Sequence, residues 1–185
     1  AEDIDTLLVQ AKKCGEILKK ISQNKIVDDD YVANITLQNL LFEITKSFEE
    51  ISEKKIKFHV SDEIEKIHIK RSAELTYGIR NFVGNAVKFS KKNVNINLLR
   101  DKSITSIEIS DDGPGFPQDI IRILGEPYIA SRSKKLRSKS GLGLGSFIGK
   151  TLLERKKATV KFSTMNNGGA LVEIIWKNSD LIPRS

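Results

Sequence analysis

The chain has 185 residues and a net charge of +7, with 39% hydrophobic and 30% charged residues. This composition excludes a collagen and a wholly disordered chain, and it predicts one globular domain with room for an appendage. No apolar run approaches the roughly 18 residues that span a bilayer, so no membrane span is predicted. The chain starts at Ala1 without a visible leader, and we expect it to be a fragment of a longer protein.

The cysteine content and the distribution of basic residues further narrow the classes of protein and of binding partner. Cys14 is the one cysteine of the sequence, which excludes an internal disulfide and a cysteine-cluster zinc site and favours a reducing compartment. Most lysines are spread along the chain, but residues 132–139 carry five positive charges and no negative one. Because this cluster precedes a glycine-rich run, a small polyphosphate is favoured over nucleic acid as the partner.

A helix is predicted over residues 1–23, followed by a polar, acidic linker over residues 24–34. The helix is predicted from apolar residues at alternating steps of three and four, a seam that packs against other helices. Its members are Ile4, Leu7, Ala11, Cys14, Leu18 and Ile21. We expect one arm of a helical bundle; alternatively, the helix docks on the domain's own core.

Helix and strand signals follow in a segregated order. Helices are predicted over residues 36–53, 73–89, 118–124 and 144–156. Strands are predicted over residues 55–60, 65–70, 94–99, 104–109, 159–164 and 170–177, with a flexible basic stretch up to about residue 140. The last two strands are joined around an Asn-Asn-Gly-Gly sequence typical of a hairpin turn. This order favours an α+β fold with an antiparallel or mixed sheet over βαβ units.

The first motif with chemical meaning lies on the predicted helix 73–89. Glu74, Gly78, Asn81, Asn85 and Lys88 recur at steps of four and three and therefore share one helix face, opposite an apolar face. A carboxamide offers a neutral oxygen to Mg²⁺ and N–H donors to phosphate, and a lysine offers a point charge. This polar stripe is a candidate metal and phosphate site; alternatively, it is an ordinary solvated face.

The second motif, Asp111-Asp112-Gly113-Pro114-Gly115, directly follows the predicted strand 104–109. Glycines at alternate positions let a ligand ring lie against bare backbone. A carboxylate at the end of a strand can accept a hydrogen bond from an exocyclic amine such as that of adenine. The alternative is an ordinary turn, because Asp and Gly are common turn residues.

The third motif, Gly141-Leu142-Gly143-Leu144-Gly145, opens the predicted helix 144–156. Bare glycines let backbone N–H groups approach phosphate oxygens, and a helix N-terminus adds positive potential. A dinucleotide fingerprint is excluded because the motif follows a basic loop instead of a strand, and a P-loop is excluded because Leu144 stands where its first glycine is needed. A flexible glycine-rich linker stays as the alternative.

Taken together, Asn-x-x-x-Asn on a helix, Asp-x-Gly-x-Gly and Gly-x-Gly-x-Gly resemble the N, G1 and G2 boxes of one family of domains. These are the ATP-binding domains shared by sensor histidine kinases and gyrase-type ATPases. The resemblance covers roughly residues 35–178 and implies an ATP-binding catalytic domain over residues 35–180. Its implied fold is a Bergerat-type two-layer α/β sandwich with a mixed sheet and helices on one face. ATP and Mg²⁺ are the implied cofactors.

Residues 11–18, 125–128 and 143–155 further resemble the RegB/PrrB-type redox-responsive sensor kinases. That resemblance implies that residues 1–23 are the second helix of a dimerisation and histidine-phosphotransfer module, with the phosphoacceptor helix and a membrane-embedded sensor region upstream. It implies a homodimer, a response-regulator partner and a cytoplasmic position in a bacterial inner-membrane protein. The chain departs from the pattern at Ser146, Gly149 and Lys157, where Leu, Ala and Gly are usual. We expect looser packing behind the third motif and an uncertain helix end.

The resemblance also assigns roles to individual residues. Asn85 ligates Mg²⁺, Asn81 supports the phosphates or the water shell of the metal, and Lys88 contacts phosphate. Asp111 accepts a hydrogen bond from the adenine amino group, and Phe89 lies against the adenine ring. The remaining ATP-binding candidates lie in the second and third motifs, in a lid over residues 129–142 and directly before that lid: Gly113, Gly115, Tyr128, Arg132, Lys134, Lys135, Arg137, Gly141, Leu142, Gly143, Leu144 and Gly145. The four basic lid residues are alternatives for one phosphate contact.

The residue at position 81 distinguishes a kinase from an ATPase. Gyrase-type ATPases have a Glu there that activates water, whereas this chain has Asn81. An amide cannot act as a general base, so the resemblance implies a kinase that keeps the γ-phosphoryl group for a histidine. A stand-alone ATPase or a Ser/Thr protein kinase on the same fold is the alternative. His59 and His68 are predicted to be strand residues, so the phosphoacceptor is expected elsewhere. Cys14 is predicted to be a packed seam residue or, by the resemblance, a redox-responsive thiol at a dimer seam.

Overall fold

The computed structural model describes residues 34–61, 64–117, 121, 124 and 144–181. In chain order they form β1 (Asn34–Thr36), α1 (Leu37–Glu49), β2 (Lys55–Val60), β3 (His68–Lys70), α2 (Ala73–Phe89), β4 (Asn93–Arg100), β5 (Ile104–Asp111), α3 (Leu144–Arg155), β6 (Thr159–Thr164), β7 (Ala170–Lys177) and α4 (Asn178–Leu181). The predicted helix 1–23, the linker up to residue 33 and most of the predicted helix 118–124 lie outside the described residues. None of the helices described is long and apolar enough to cross a membrane.

A five-stranded mixed sheet forms one layer, in the order β2-β4-β5-β7-β6. β2 runs parallel to β4, and the other neighbouring pairs are antiparallel. β1 and β3 form a separate antiparallel pair; Asn34, assigned to the linker by its polarity, is the first residue of β1. The predicted hairpin is present, with positive φ at Gly168 and Gly169. The fold confirms the α+β two-layer sandwich expected from the sequence.

One face of the sheet is buried beneath the helices. Side chains alternate between the two faces of a strand, so Val94, Ile96 and Leu98 of β4 are fully buried while the asparagines between them are not. The same alternation buries Ile107 and Ile109 of β5. The apolar faces of α1 and α2 complete this core, and the opposite sheet face carries no helix among the described elements.

α2 positions most of the candidate site, and its sequence explains its bounds. Ser72 caps its N-terminus, because the Ser72 hydroxyl accepts a hydrogen bond from the Leu75 N–H at 3.3 Å. The apolar face predicted from the sequence is the buried one, with Leu75, Ile79, Phe82, Val83 and Ala86 in the core. The helix ends at Phe89, and Ser90 already has an extended ψ of 150°.

Two elements are shorter than their sequence patterns predict. α1 ends at Glu49 instead of residue 53, and Ile51, which continues the apolar spacing of this helix, is 76% exposed. The reason is that the chain must reverse within five residues to enter β2. The strand predicted over residues 65–70 is reduced to His68–Lys70, because the Ile67 backbone bonds to the start of α1. Its carbonyl accepts from the Leu37 N–H at 2.8 Å, and its N–H donates to the Gln38 side chain at 3.1 Å.

Lys157 ends α3 as a glycine would. Its φ is 61°, in the left-handed region, and the Ala158 N–H donates to the Leu153 carbonyl at 3.0 Å. This conformation costs a non-glycine residue about 1–2 kcal/mol. The Lys157 side chain pairs with Asp180 at 3.2 Å. The helix end that the sequence left uncertain is therefore well defined, although glycine is absent from it.

Candidate active site

The polar stripe of α2 faces α3 instead of open solvent. A Cβ added at Gly78 would lie 2.6 Å from the Leu153 Cγ, and one added at Gly149 would lie 3.1 Å from the Asn81 Cβ. These two glycines therefore let the helices approach closely. The expectation that Gly149 loosens the packing is wrong: a missing methyl group at a helix crossing brings the axes together.

Both asparagines of the stripe direct their amide nitrogens to partners within the protein. The Asn81 Nδ2 donates to the Tyr77 carbonyl at 2.8 Å, and the Asn85 Nδ2 donates to the Ser146 hydroxyl at 3.3 Å. Neither Oδ1 atom accepts a hydrogen bond within the described part of the chain. Two partly exposed carbonyl oxygens are thus available on one helix face.

These oxygens fit a hard cation such as Mg²⁺. Mg²⁺ prefers oxygen ligands and in nucleotide sites takes few of them from the protein, with the rest from phosphates and water. No group of three or more His, Cys, Asp or Glu residues that could hold a metal occurs among the residues described. The Asn85 Oδ1 could hold the ion, and the Asn81 Oδ1 could support the phosphates or the water shell of the metal.

Asp111 lies at the end of β5 with its carboxylate in the helix layer. It is the last residue of the strand instead of the first residue after it, and it keeps the inward register of Ile107 and Ile109. Its side chain is buried, and its Oδ1 accepts hydrogen bonds from the N–H of Gly113 at 2.7 Å and of Ala170 at 3.4 Å. Its Oδ2 accepts none from the described residues. One carboxylate oxygen is therefore fixed, and the other can accept from a ligand.

Burial raises the pKa of Asp111 above its ordinary value of 3.8, and the negative charge of Asp112 raises it slightly more. The two backbone hydrogen bonds oppose this shift. Burial alone would also raise the pKa of the Asp112 carboxyl, but hydrogen bonds from residues 91–93 hold it well below its usual range. The two neighbouring carboxyls therefore have opposite shifts, because one is desolvated and the other is surrounded by donors.

The glycines of the second motif are required by close backbone contacts. A Cβ at Gly113 would lie 2.5 Å from the Phe89 carbonyl oxygen at the end of α2. Gly115 has a φ of 75°, and a Cβ there would overlap Thr164. The Thr164 hydroxyl accepts from the Phe116 N–H at 3.0 Å and donates to the Phe116 carbonyl at 3.2 Å. The loop is thus held between α2 and β6.

The structure brings the described parts of the three motifs together on α2. The Asp111 loop contacts its C-terminal end through Gly113 and Phe89, and the N-terminal turn of α3 contacts its middle, since a Cβ at Gly145 would lie 3.4 Å from the Asn81 Oδ1. Phe89 is 37% exposed, and the Lys88 Nζ lies 5.2 Å from the centre of its ring. The remaining predicted site residues lie outside the described residues: Tyr128, Arg132, Lys134, Lys135, Arg137, Gly141, Leu142, Gly143 and the side chain of Leu144.

A recess of about 740 Å³ adjoins the Asp111 loop but opens on the other side of the sheet. It is lined by Lys57, Asn93 and Asn95, which alternate along their strands with buried residues of the helix layer. Their side chains therefore lie on the helix-free face. We do not assign this recess to the nucleotide, because Asn81 and Asn85 lie across the sheet from it.

Sequence reasoning missed three residues that shape the site: Asp112, Ser146 and Thr164. The sequence pattern marks Asp112 only as part of a turn and Ser146 only as a departure from a family pattern. The alternation of Ile107, Ile109 and Asp111 is a usable signal for the inward carboxylate. The contacts of Ser146 and Thr164 join residues 61 and 48 positions apart, so no local pattern could reveal them.

Comparison with known protein families shows which family this chain belongs to. The family described as histidine kinase-, DNA gyrase B- and HSP90-like ATPase matches residues 70–180, which include α2, the Asp111 loop and α3. The chain belongs to this ATPase family. Its resemblance to an ATP-binding domain, inferred above from three motifs, is thereby confirmed.

Individual relatives place the chain within the ATPase family more closely. Sensor histidine kinase RegB of Cereibacter sphaeroides is 31% identical over 205 residues, which cover 98% of this chain and 43% of RegB. The chain thus spans less than half the length of that curated relative. Two solved structures share the fold. The mycobacterial sensor histidine kinase MprB has a TM-score of 0.65 at 17% identity, covering 82% of this chain and 99% of MprB. Full-length ShkA in complex with AMPPNP has a TM-score of 0.64 at 21% identity, covering 77% of this chain and 30% of ShkA.

Ser146 is expected to orient the Asn85 carboxamide in this member of the ATPase family. Ser146→Ala removes the acceptor of the Asn85 Nδ2, so the amide can rotate and its Oδ1 is no longer held towards the metal. A neutral hydrogen bond contributes about 0.5–1.5 kcal/mol, so we expect a roughly two- to thirteenfold weaker Mg²⁺-dependent affinity for ATP. Calorimetric titrations with and without Mg²⁺ measure this.

The matched control is Ser106→Ala on the helix-free sheet face, which should leave both affinities unchanged. If Ser146→Ala binds ATP–Mg²⁺ like the wild type, the hydrogen bond to Asn85 has no role in metal binding.

Proposed function

We propose that this chain is the catalytic ATP-binding region of a sensor histidine kinase. It binds ATP with Mg²⁺ and transfers the γ-phosphoryl group to a histidine on a separate helix, for relay to an aspartate of a response regulator. The observation that carries the proposal is the meeting of three motifs on α2: two free carboxamide oxygens, a buried carboxylate and the N-terminal turn of α3. The similarity to RegB over 98% of the chain supports it.

Each group has a distinct task in this mechanism. Asp111 accepts a hydrogen bond from the adenine amino group through its Oδ2, and Phe89 lies at the end of α2 where the base enters. Asn85 would hold the cation, which would supply charge neutralisation at the phosphates, and Asn81 would support the phosphates or the water shell of the metal. Lys88 and the N-terminal turn of α3 supply further positive potential. Catalysis of phosphoryl transfer consists mainly of such positioning and charge stabilisation.

Asn81 favours a kinase over a hydrolase. A general base must accept a proton from the attacking water, and the Asn81 carboxamide cannot. Its nitrogen is moreover bonded to the Tyr77 carbonyl, which leaves only a weakly basic oxygen towards the site. We therefore infer slow attack by water and retention of the γ-phosphoryl group for a histidine.

The proposal extends to the segments that precede the catalytic domain and to the full-length protein. Residues 1–23 would form the second helix of the dimerisation and phosphotransfer module, and residues 24–33 the linker to the catalytic domain, since Asn34 already belongs to β1. The full-length protein would be a homodimer on the cytoplasmic side of a bacterial inner membrane, with a response regulator as partner. Cys14 is proposed as a candidate redox-responsive thiol of the dimer seam.

A transfer assay tests the proposed function. The 185-residue chain is mixed with ATP–Mg²⁺ and a separate helical hairpin that carries a phosphoacceptor histidine, and acid-labile phosphate on the hairpin is measured. We expect labelling of the hairpin, none of it when its histidine is replaced by Ala, and slow release of phosphate into water. Rapid ATP hydrolysis without labelling would instead support a stand-alone ATPase, and labelling of serine or threonine would support a Ser/Thr kinase.

A further inference from the structure

Asp112 holds an unusually complete set of hydrogen bonds for a partly exposed loop residue. Its Oδ1 accepts from the N–H of Lys91 at 2.7 Å and of Lys92 at 3.0 Å. Its Oδ2 accepts from the N–H of Asn93 at 3.1 Å, from the Asn93 side chain at 2.8 Å and from Lys92 at 3.2 Å. In return, the Asp112 N–H donates to the Asn93 carbonyl at 3.2 Å.

These bonds join two parts of the candidate site that are separate in sequence. Residues 90–92 connect α2, which carries Asn81 and Asn85, to β4. Asp112 is the first residue after β5, and its carboxylate accepts from the turn at residues 91–93, whereas the Asp111 carboxylate accepts from Gly113 and Ala170. One carboxylate is thus buried in the nucleotide-binding layer, and the next one is bound to the turn after the metal-binding helix.

We propose that Asp112 is a positioning residue for nucleotide recognition: by binding the backbone of residues 91–93, it fixes the adenine carboxylate of Asp111 relative to α2. This inference rests on the proposed function of the site. Its expected consequence is geometric, since a shift of about 1 Å at a recognition group is enough to lose much of its interaction. Removing Asp112 should therefore weaken base recognition beyond any effect on folding.

Lys54 provides a matched control, because it stabilises the same turn without touching the Asp111 loop. Its Nζ donates to the carbonyls of Ser90 at 2.8 Å and of Lys91 at 2.7 Å. Lys54→Met removes these bonds and keeps most of the side-chain length. Any loss caused only by a looser turn should therefore appear in Lys54→Met as well as in Asp112→Ala.

The experiment compares four forms of the 185-residue chain: wild type, Asp112→Ala, Asp112→Asn and Lys54→Met. Calorimetry gives the Kd for ATP and for GTP with Mg²⁺, and thermal melting gives the Tm. We expect Asp112→Ala to weaken ATP binding roughly tenfold and to reduce the preference for ATP over GTP. Asp112→Asn should recover part of the affinity because its Oδ1 still accepts, and Lys54→Met should keep its ATP affinity within about twofold at a comparable loss of Tm.

The outcomes separate this inference from the proposed function. If the wild type binds no nucleotide, the proposed function fails. If the wild type binds ATP but Asp112→Ala binds it equally well, or loses ATP and GTP affinity in the same proportion as Lys54→Met, then Asp112 is only a structural residue of the turn and the inference is wrong.

Discussion

Asp111→Asn is expected to reduce ATP affinity roughly ten- to hundredfold. The Oδ1 of the amide can still accept from Gly113 and Ala170, so the loop keeps its shape. The other end becomes an NH₂ group, which presents a donor to the donor of the adenine amino group. A hydrogen bond to a charged acceptor contributes about 1.5–3 kcal/mol, and the substitution replaces it with an unfavourable contact. Calorimetric titration with ATP–Mg²⁺ measures the loss.

The free energy of unfolding of the nucleotide-free Asp111→Asn variant should stay the same or increase, although its ATP affinity falls. Because burial raises the pKa of Asp111 in the folded state, the folded protein binds that proton more tightly than the unfolded chain does. The contribution of Asp111 to stability therefore falls as pH rises from about 3.8 through its raised pKa, and the ionised form is a cost at pH 7.

Asn carries no charge, so the nucleotide-free Asp111→Asn chain should melt at the same temperature as the wild type or above it at pH 7. A variant that loses ATP binding because it has lost its fold would contradict this assignment, and so would one that retains wild-type affinity.

Asn85→Ala is expected to abolish the Mg²⁺-dependent part of ATP binding. The substitution removes the one Oδ1 atom that Ser146 helps to orient, while alanine favours the helix and leaves α2 intact. The cation would lose a protein ligand, and the remaining affinity for ATP should no longer respond to Mg²⁺. Titrating ATP at several Mg²⁺ concentrations gives this dependence directly.

Asn97→Ala serves as the control for Asn85→Ala. Asn97 lies on the helix-free sheet face, where its side chain donates to Glu108 at 3.4 Å. The Asn97→Ala substitution should leave the Mg²⁺ dependence of ATP binding unchanged. A wild-type response to Mg²⁺ in Asn85→Ala would remove Asn85 from the metal site.

The sequence predicted the elements with strong periodicity and missed those set by neighbours distant in the chain. α2 matches its predicted bounds of 73–89, because a capping serine, an apolar stripe and a following extended residue coincide. Ile51 continues the helical period of α1 but is exposed, since periodicity does not report where the chain must leave the helix to enter β2. The strand predicted over residues 65–70 is shortened because the Ile67 backbone forms its hydrogen bonds with residues of α1.

The candidate site shows the same division. Residue types and spacing selected Asn81, Asn85 and Asp111, since their chemistry is carried by the side chain itself. The roles of Gly78 and Gly149 depend on how closely two helices approach, and the role of Asp112 depends on a turn about 20 residues earlier. Neither the approach of two helices nor a contact with a distant turn is encoded in a local sequence pattern.

The attachment of Asp111 to β5 has a consequence for how the site is filled. β5 is the middle strand of the five-stranded sheet, paired with β4 on one side and β7 on the other. The group proposed to recognise the base is thus preorganised, and little conformational entropy would be lost there on binding. In the proposed complex the purine end of the nucleotide would therefore bind to a part of the site that is already rigid.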